Sequence, residues 1–167
     1  MMHASGGGKV FLWRLERARH VETWEAGIGA EKAGGRWNSR GRRAVYGSLD
    51  PATAILEVAA HKGFTTLDTV PHILLCAEIL DPDCVHQLAI DCLPNNNWLI
   101  PGTPGQGQQQ YGDGLLDEHP FFTVPSTVSR HSWNIVLNPD SARGKYRLCL
   151  QERFSLDTRL NPPPDPW

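Results

Sequence analysis

Apolar residues fall in short runs along this chain, and glycine, proline, asparagine and aspartate separate the runs. Phe11-Leu12-Trp13-Arg14-Leu15 predicts a first strand, and Arg17 to Thr23 a short helix. Gly27 to Gly35 reads as a glycine-rich loop. Ala44-Val45-Tyr46-Gly47-Ser48 predicts a second strand. Asp50-Pro51 then predicts a helix start, with aspartate as cap and proline in the first turn. Ala54, Ile55, Val58 and Ala59 supply the apolar face of that helix, and Gly63 ends it. His72 to Leu80 is strongly apolar and predicts a central strand, closed by Asp81-Pro82.

The pattern changes from about Pro94 to Pro120, where Pro, Gly, Asn and Gln dominate. This stretch reads as a long irregular loop, with a short helix possible from Gln108 to Glu118. Val124 to Val128 predicts a short extended piece, and Trp133 to Leu137 a strand stopped by Asn138-Pro139. Tyr146 to Gln151 alternates like a half-buried strand, and Asn161-Pro162-Pro163-Pro164 is a tail without a packed role. There are no internal repeats. Many short strands with few helices place the chain in the α+β class.

The length of 167 residues suits one domain with a real core. No apolar run approaches the roughly 20 residues that span a membrane. The first eight residues, from Met1 to Gly8, lack the apolar core of a secretory signal and are expected to be disordered. A cytoplasmic location without membrane association is the expectation. Cys76, Cys84, Cys92 and Cys149 have neither zinc-site nor redox-motif spacing, so buried reduced thiols are expected. A net charge of −2 gives no global field for nucleic acid. Arginine nevertheless outnumbers lysine twelve to four, and Arg36, Arg40, Arg42 and Arg43 crowd one segment. That preference suits planar anion recognition.

Three residues of one strand–turn–helix unit carry candidate chemistry. Arg36 follows two glycines that let backbone approach a ligand, and its guanidinium can grip a pyrophosphate. The same residue type in a turn can also be plain surface. Tyr46 can stack on a flat heterocycle, or serve as a core aromatic whose hydroxyl finds a partner. Glu57 interrupts a helix that otherwise faces the core. It can stabilise positive charge growing on a ribose, or occupy the solvated side of the helix. His61, four residues on, can be a partner of that carboxylate or a helix-end histidine. Ser126 lacks a Gly-x-Ser-x-Gly elbow, which disfavours a hydrolase triad and leaves a hydroxyl donor. Asn134 and Asn138 can donate to a ligand, although turn chemistry explains Asn138-Pro139 equally well. Gly102 to Gly107 lacks the ending of a phosphate-cradling loop, and no Gly-x-Gly-x-x-Gly opens a helix, which speaks against a doubly wound dehydrogenase.

Taken in order, these segments resemble the RES domain, the toxin of a bacterial toxin–antitoxin family named for an arginine, a glutamate and a serine. The matching residues are Arg36 in Gly34-Gly35-Arg36-Trp37-Asn38, Glu57 in Ala54-Ile55-Leu56-Glu57, and Ser126 in Val124-Pro125-Ser126. Trp13-Arg14-Leu15, Val45 to Ser48, Gly112-Asp113, Asn134 to Pro139 and Phe154 to Leu160 match as well. The resemblance spans about residues 10 to 160 as a single domain, with residues 1–9 before it and a proline-rich tail over 161–167.

The resemblance implies a fold similar to ADP-ribosyltransferase toxins: small twisted sheets with a few flanking helices. It implies an enzyme that takes NAD as its substrate, needs no metal, and cleaves the nicotinamide–ribose bond by hydrolysis or phosphorolysis. The alternative is transfer of ADP-ribose to a host protein. Arg36, Tyr46 and Glu57 would carry catalysis, with Arg14, Trp37, Asn38, Ser126 and Asn134 seating the dinucleotide. The implied partner is an Xre-like helix-turn-helix antitoxin that covers the site in a hetero-oligomer, with no direct DNA binding by this chain. Two readings from other classes remain. An RNA-directed toxin would use the Arg36 to Arg43 cluster and need stacking platforms or an acid–base pair. A binding module without catalysis would use the glutamate structurally.

Overall fold

Two eight-residue strands pair along their whole length. In the computed structural model, which describes residues 8–165, β1 (Val10–Arg17) lies antiparallel to β3 (His72–Ile79) over all eight residues. β2 (Val45–Ser48) joins β1 at Trp13↔Ser48 and β6 (Trp133–Leu137) along its whole length. β5 (Phe121–Pro125) continues the sheet, and the three-residue β4 (Val85–Gln87) adds a parallel edge. β7 (Tyr146–Phe154) forms the other edge. The order β4-β5-β6-β2-β1-β3-β7 gathers every strand into one seven-stranded sheet, and the class is α+β.

Several expectations need correction. β3 is internal but lies one strand from an edge, so β2 holds the centre. Arg17 to Thr23 forms a 3-10 turn over Ala18–Thr23 rather than an α-helix. The glycine-rich segment holds a six-residue helix, α1 (Ile28–Ala33), started and stopped by Gly27 and Gly34 with positive φ. α2 (Pro51–Lys62) runs as predicted, but α3 (Phe64–Thr69) follows it directly. α4 (Gln106–Glu118) begins two residues before the predicted start, and a 3-10 turn at Asn96–Leu99 precedes it. The extended piece after it lies at Phe121–Pro125 rather than 124–128.

β7 is mostly exposed, with only Tyr146, Leu150 and Phe154 half-buried. An irregularity opposite Cys76 and Ala77 leaves Cys149 as the extra residue and breaks the alternation. The thiols also differ from expectation, since Cys76 alone is buried and Cys92 and Cys149 are exposed. The tail does pack. Asn161 donates to Asp68 at 2.9 Å and accepts from Thr65 at 3.2 Å, so it is tied to α3. The expected disorder of residues 1–7 lies outside the described residues.

Strand alternation sorts the core into three clusters. Leu12, Val45, Leu75, Phe121, Ile135 and Leu137 fill one face of the sheet under Trp24. The other face carries two separate clusters. Trp37, Leu115, Leu116, Phe122, Val124 and Val136 pack beneath α4 on the β5–β6 side. Leu15, Ala59, Leu67 and Leu74 pack beneath α2 and α3 on the β1–β3 side. Tyr46, Ser48 and Asn134 lie on this face between the clusters, on the central strands, and form a polar strip.

Candidate active site

The glutamate reaches the strip because α2 is firmly started. Asp50 accepts from Thr53 N at 2.8 Å and from Thr53 Oγ1 at 2.6 Å, and Pro51 fills the first turn. Ile55, Val58 and Ala59 then dock on the β1–β3 cluster, and Glu57 hangs half-buried over the central strands. Its Oε1 accepts from Ser126 Oγ at 2.8 Å and from Asn134 Nδ2 at 2.6 Å. Asn134 is oriented in turn by Ser48, whose hydroxyl donates to Asn134 Oδ1 at 2.7 Å. Ser126 Oγ also accepts from Val128 N at 3.3 Å and Ser129 N at 3.2 Å. One carboxylate oxygen is thus fixed from two sides, while Oε2 has no partner among the described residues.

Arg36 comes from a turn clamped on every side. Gly35 N donates to Asn38 O at 3.0 Å. Asn38 is fully buried, and its Nδ2 donates to Ala30 O, Ser39 O and Arg42 O at 2.9, 3.2 and 2.9 Å. Tyr46 Oη donates to Asn38 Oδ1 at 2.7 Å and accepts from Trp37 N at 2.9 Å. α4 closes the clamp: Asp113 accepts from Ser39 N at 2.9 Å and Gln109 Nε2 donates to Gly35 O at 2.9 Å. Gly112 allows this approach, since a Cβ there would lie 2.1 Å from Trp37 O.

The Arg36 guanidinium points to the segment before α4. Nη1 donates to Trp98 O at 3.3 Å and Ile100 O at 3.4 Å, and Nη2 donates to Gly102 O at 2.8 Å. Of the five N–H donors on a guanidinium, this leaves Nε and one Nη2 proton. Burial lowers the affinity of Arg36 for its proton, and the nearby charge of Glu57 opposes that effect. Burial pushes the Tyr46 hydroxyl well above its usual range, so it stays neutral. Arg36, Tyr46 and Glu57 therefore share one electrostatic neighbourhood.

Other expected site residues fall elsewhere. Trp37 is a buried member of the β5–β6 cluster. Asn38 has its whole hydrogen-bonding capacity engaged in the turn. Both serve as scaffold of the turn in this structure. Arg14 is bound to Glu16 at 2.6 Å, and its Nη1 takes Tyr46 O at 2.7 Å where β1 and β2 part. Its charge is already matched, and alternation from Leu12 sets it on the opposite face from Glu57. His61 is exposed and not bonded to Glu57. Asn138 serves its turn, donating to Leu116 O at 2.7 Å and accepting from Asp140 N at 2.9 Å. The arginine cluster disperses into ion pairs, Arg42 with Asp117 at 2.6 Å and Arg43 with Asp140. Ser48, Gln109 and Gln108 went unnoticed in the sequence, because nothing local separates them from surface residues.

A family model described as the RES domain matches residues 11–157. The chain belongs to the RES domain family. A curated relative, "Toxin Res" of Photorhabdus laumondii, is 35% identical over 155 residues, covering 90% of this chain and 97% of the relative. "Toxin Res" of Pseudomonas putida is 28% identical, covering 90% and 99%. A solved structure described as the M. tuberculosis MbcT–MbcA toxin–antitoxin complex aligns with a TM-score of 0.70 at 17% identity. It covers 89% of this chain and 85% of that one. Glu57 and Ser126 are hydrogen-bonded directly. No described helix is long and apolar enough to cross a membrane.

Proposed function

We propose that this chain is the toxin of a toxin–antitoxin pair and consumes NAD by breaking its nicotinamide–ribose bond. The observation that carries the reading is the carboxylate of Glu57, fixed through Oε1 with Oε2 left for a ligand. A ribose hydroxyl on Oε2 would bring the negative charge beside the carbon that becomes oxocarbenium-like. Arg36 retains two N–H donors for a pyrophosphate oxygen. The Tyr46 hydroxyl is engaged in the turn, so its ring is the part left to meet nicotinamide. Nicotinamide departs as a neutral amide from a positively charged pyridinium, so no strong general acid is needed. Water or phosphate then attacks the ribose. A protein side chain in that position would give ADP-ribosyl transfer by the same first step.

The relatives named as toxins and the toxin–antitoxin title of the structural neighbour support an antitoxin partner. We infer an Xre-like helix-turn-helix protein that masks the strip between α2 and the segment before α4. Purified chain should release nicotinamide from NAD, and adding phosphate should reveal whether a phosphorylated sugar forms. Intact NAD after prolonged incubation at high enzyme concentration would refute the reading.

A further inference from the structure

A cavity of about 410 Å³ opens beside Arg36, and Glu57 is not among its lining residues. Arg36, Asn97, Trp98, Ile100, Thr103 and Gln108 are among its walls. Its size falls within the range of small-molecule sites. Among the described residues Arg36 is the only charged one lining it, so a second phosphate finds no counter-charge from them. Trp98 and Ile100 give an apolar wall, and Asn97 and Thr103 give polar rims. Gln108 is the telling residue. It is 1% exposed, and its Nε2 donates to Trp98 O at 3.0 Å. That bond fixes the amide orientation, and Oε1 is left without a protein partner in a residue that lines the cavity. An acceptor held in place and free of protein partners among the described residues is available to a ligand's donor.

We propose that this cavity seats the adenosine half of the dinucleotide, with Gln108 Oε1 accepting from the exocyclic amino group of adenine. The assignment rests on the NAD reading above. Glu57 fixes where the nicotinamide ribose lies, and Arg36 is near both, since it feels the charge of Glu57 and lines the cavity. A pyrophosphate on Arg36 therefore leads its second nucleoside into the space bounded by Trp98 and Gln108. A neutral heterocycle and a ribose match a wall with an apolar side at Trp98 and Ile100 and the buried amide of Gln108 beside it. The three carbonyls of Trp98, Ile100 and Gly102 that Arg36 holds shape this wall. Arg36 thus builds the adenosine site with one edge and faces the pyrophosphate with the other.

Two measurements on the full chain separate this assignment from the reaction itself. Calorimetric titration with AMP and with IMP reads the cavity without any chemistry. Hypoxanthine presents a carbonyl where adenine presents an amino group. IMP should bind about 10-fold more weakly, as for one neutral hydrogen bond lost to a buried acceptor. Steady-state turnover of NAD and its hypoxanthine analogue should show the same ratio in kcat/KM, carried by KM. Gln108→Leu should bring AMP and IMP to equal affinity. If NAD is consumed but the paired ligands are indistinguishable, the adenosine assignment is overturned and the reaction stands. If AMP binds better than IMP while NAD stays intact, the cavity stands and the reaction falls. Absence of both effects overturns both.

Discussion

Asn134 Nδ2 lies 2.6 Å from Glu57 Oε1, across 77 positions of the chain. The bond ties α2 to β6 at the polar strip between the two apolar clusters. Ser126 reaches the same oxygen from the end of β5. The carboxylate is therefore held before any ligand arrives, which is the condition under which fixed charge stabilises a transition state most.

Glu57→Gln should keep the fold and lose on the order of 100-fold or more in kcat. The amide oxygen can still accept from Ser126 and Asn134, so packing is preserved while the charge is lost. Nicotinamide release measured beside a thermal melt separates the two effects. A variant that melts like the parent and turns over at nearly the parent rate would remove Glu57 from the chemistry.

Ser126→Ala should slow turnover by about 10-fold without abolishing it, the scale of one hydrogen bond to a charged group. The hydroxyl holds Glu57 and accepts two backbone amides, so a small loss of stability accompanies the change. Complete loss of activity in a folded variant would instead point to Ser126 as a nucleophile.

Arg36→Lys should fail to rescue Arg36→Ala. One ammonium cannot hold three carbonyls and a pyrophosphate together. Both variants should raise KM for NAD. Both should also be cut faster by chymotrypsin near Trp98-Leu99, because the segment loses its anchor. Parent-like cleavage and affinity in the lysine variant would count against the fork.

Gly112→Ala should lower the melting temperature by several degrees. The new methyl would meet the Trp37 backbone rather than a yielding side chain, and overpacking of this kind costs about 1–3 kcal/mol. An unchanged melt would mean that α4 and the arginine turn are free to separate.

The melting temperature should fall as pH drops from 7 toward 5. Burial holds the His72 pKa below its ordinary value against the hydrogen bond to Val70 O, with Lys62 and Arg17 also lowering it and Glu16 opposing. His86, stacked on His119, is depressed likewise by burial and by its neighbour. A depressed histidine binds fewer protons folded than unfolded. Its contribution is fully present above about pH 6.5 and is lost as pH falls through the folded value. His72→Gln should flatten the slope in part, leaving the share of His86. A flat profile for the parent would contradict both shifts.

The elements that were legible carry strong local signals. α2 was readable from Asp50-Pro51 and Gly63, and β3 from its unbroken apolar run. α3 was not, because Phe64-Thr65-Thr66-Leu67-Asp68-Thr69 is rich in threonine, which favours helices weakly. β4 has only three residues and pairs in parallel with distant Phe121. α4 contains Gly107, Gly112 and Gly114, and Gly112 is there for contact with Trp37 rather than for helix formation. Glu57, Ser126 and Asn134 converge over separations that no periodic pattern reports, so the resemblance singled them out where periodicity could not. For Trp37 and Asn38 the sequence is silent on structure, because an aromatic and an amide after two glycines look alike whether they meet a ligand or lock a turn. The grip of Arg36 on Trp98, Ile100 and Gly102 involves backbone carbonyls, which carry no side-chain signature.

The sheet face that bears Glu57 has two cores instead of one, and they share no buried residue. Each can therefore be repacked by substitution without disturbing the other. The polar strip inherits the difference as a change in width, while the bond-breaking groups stay where they are. Descendants of such a chain can come to admit a larger or smaller attacking group through drift in their interiors, with Arg36, Glu57 and Ser126 unaltered.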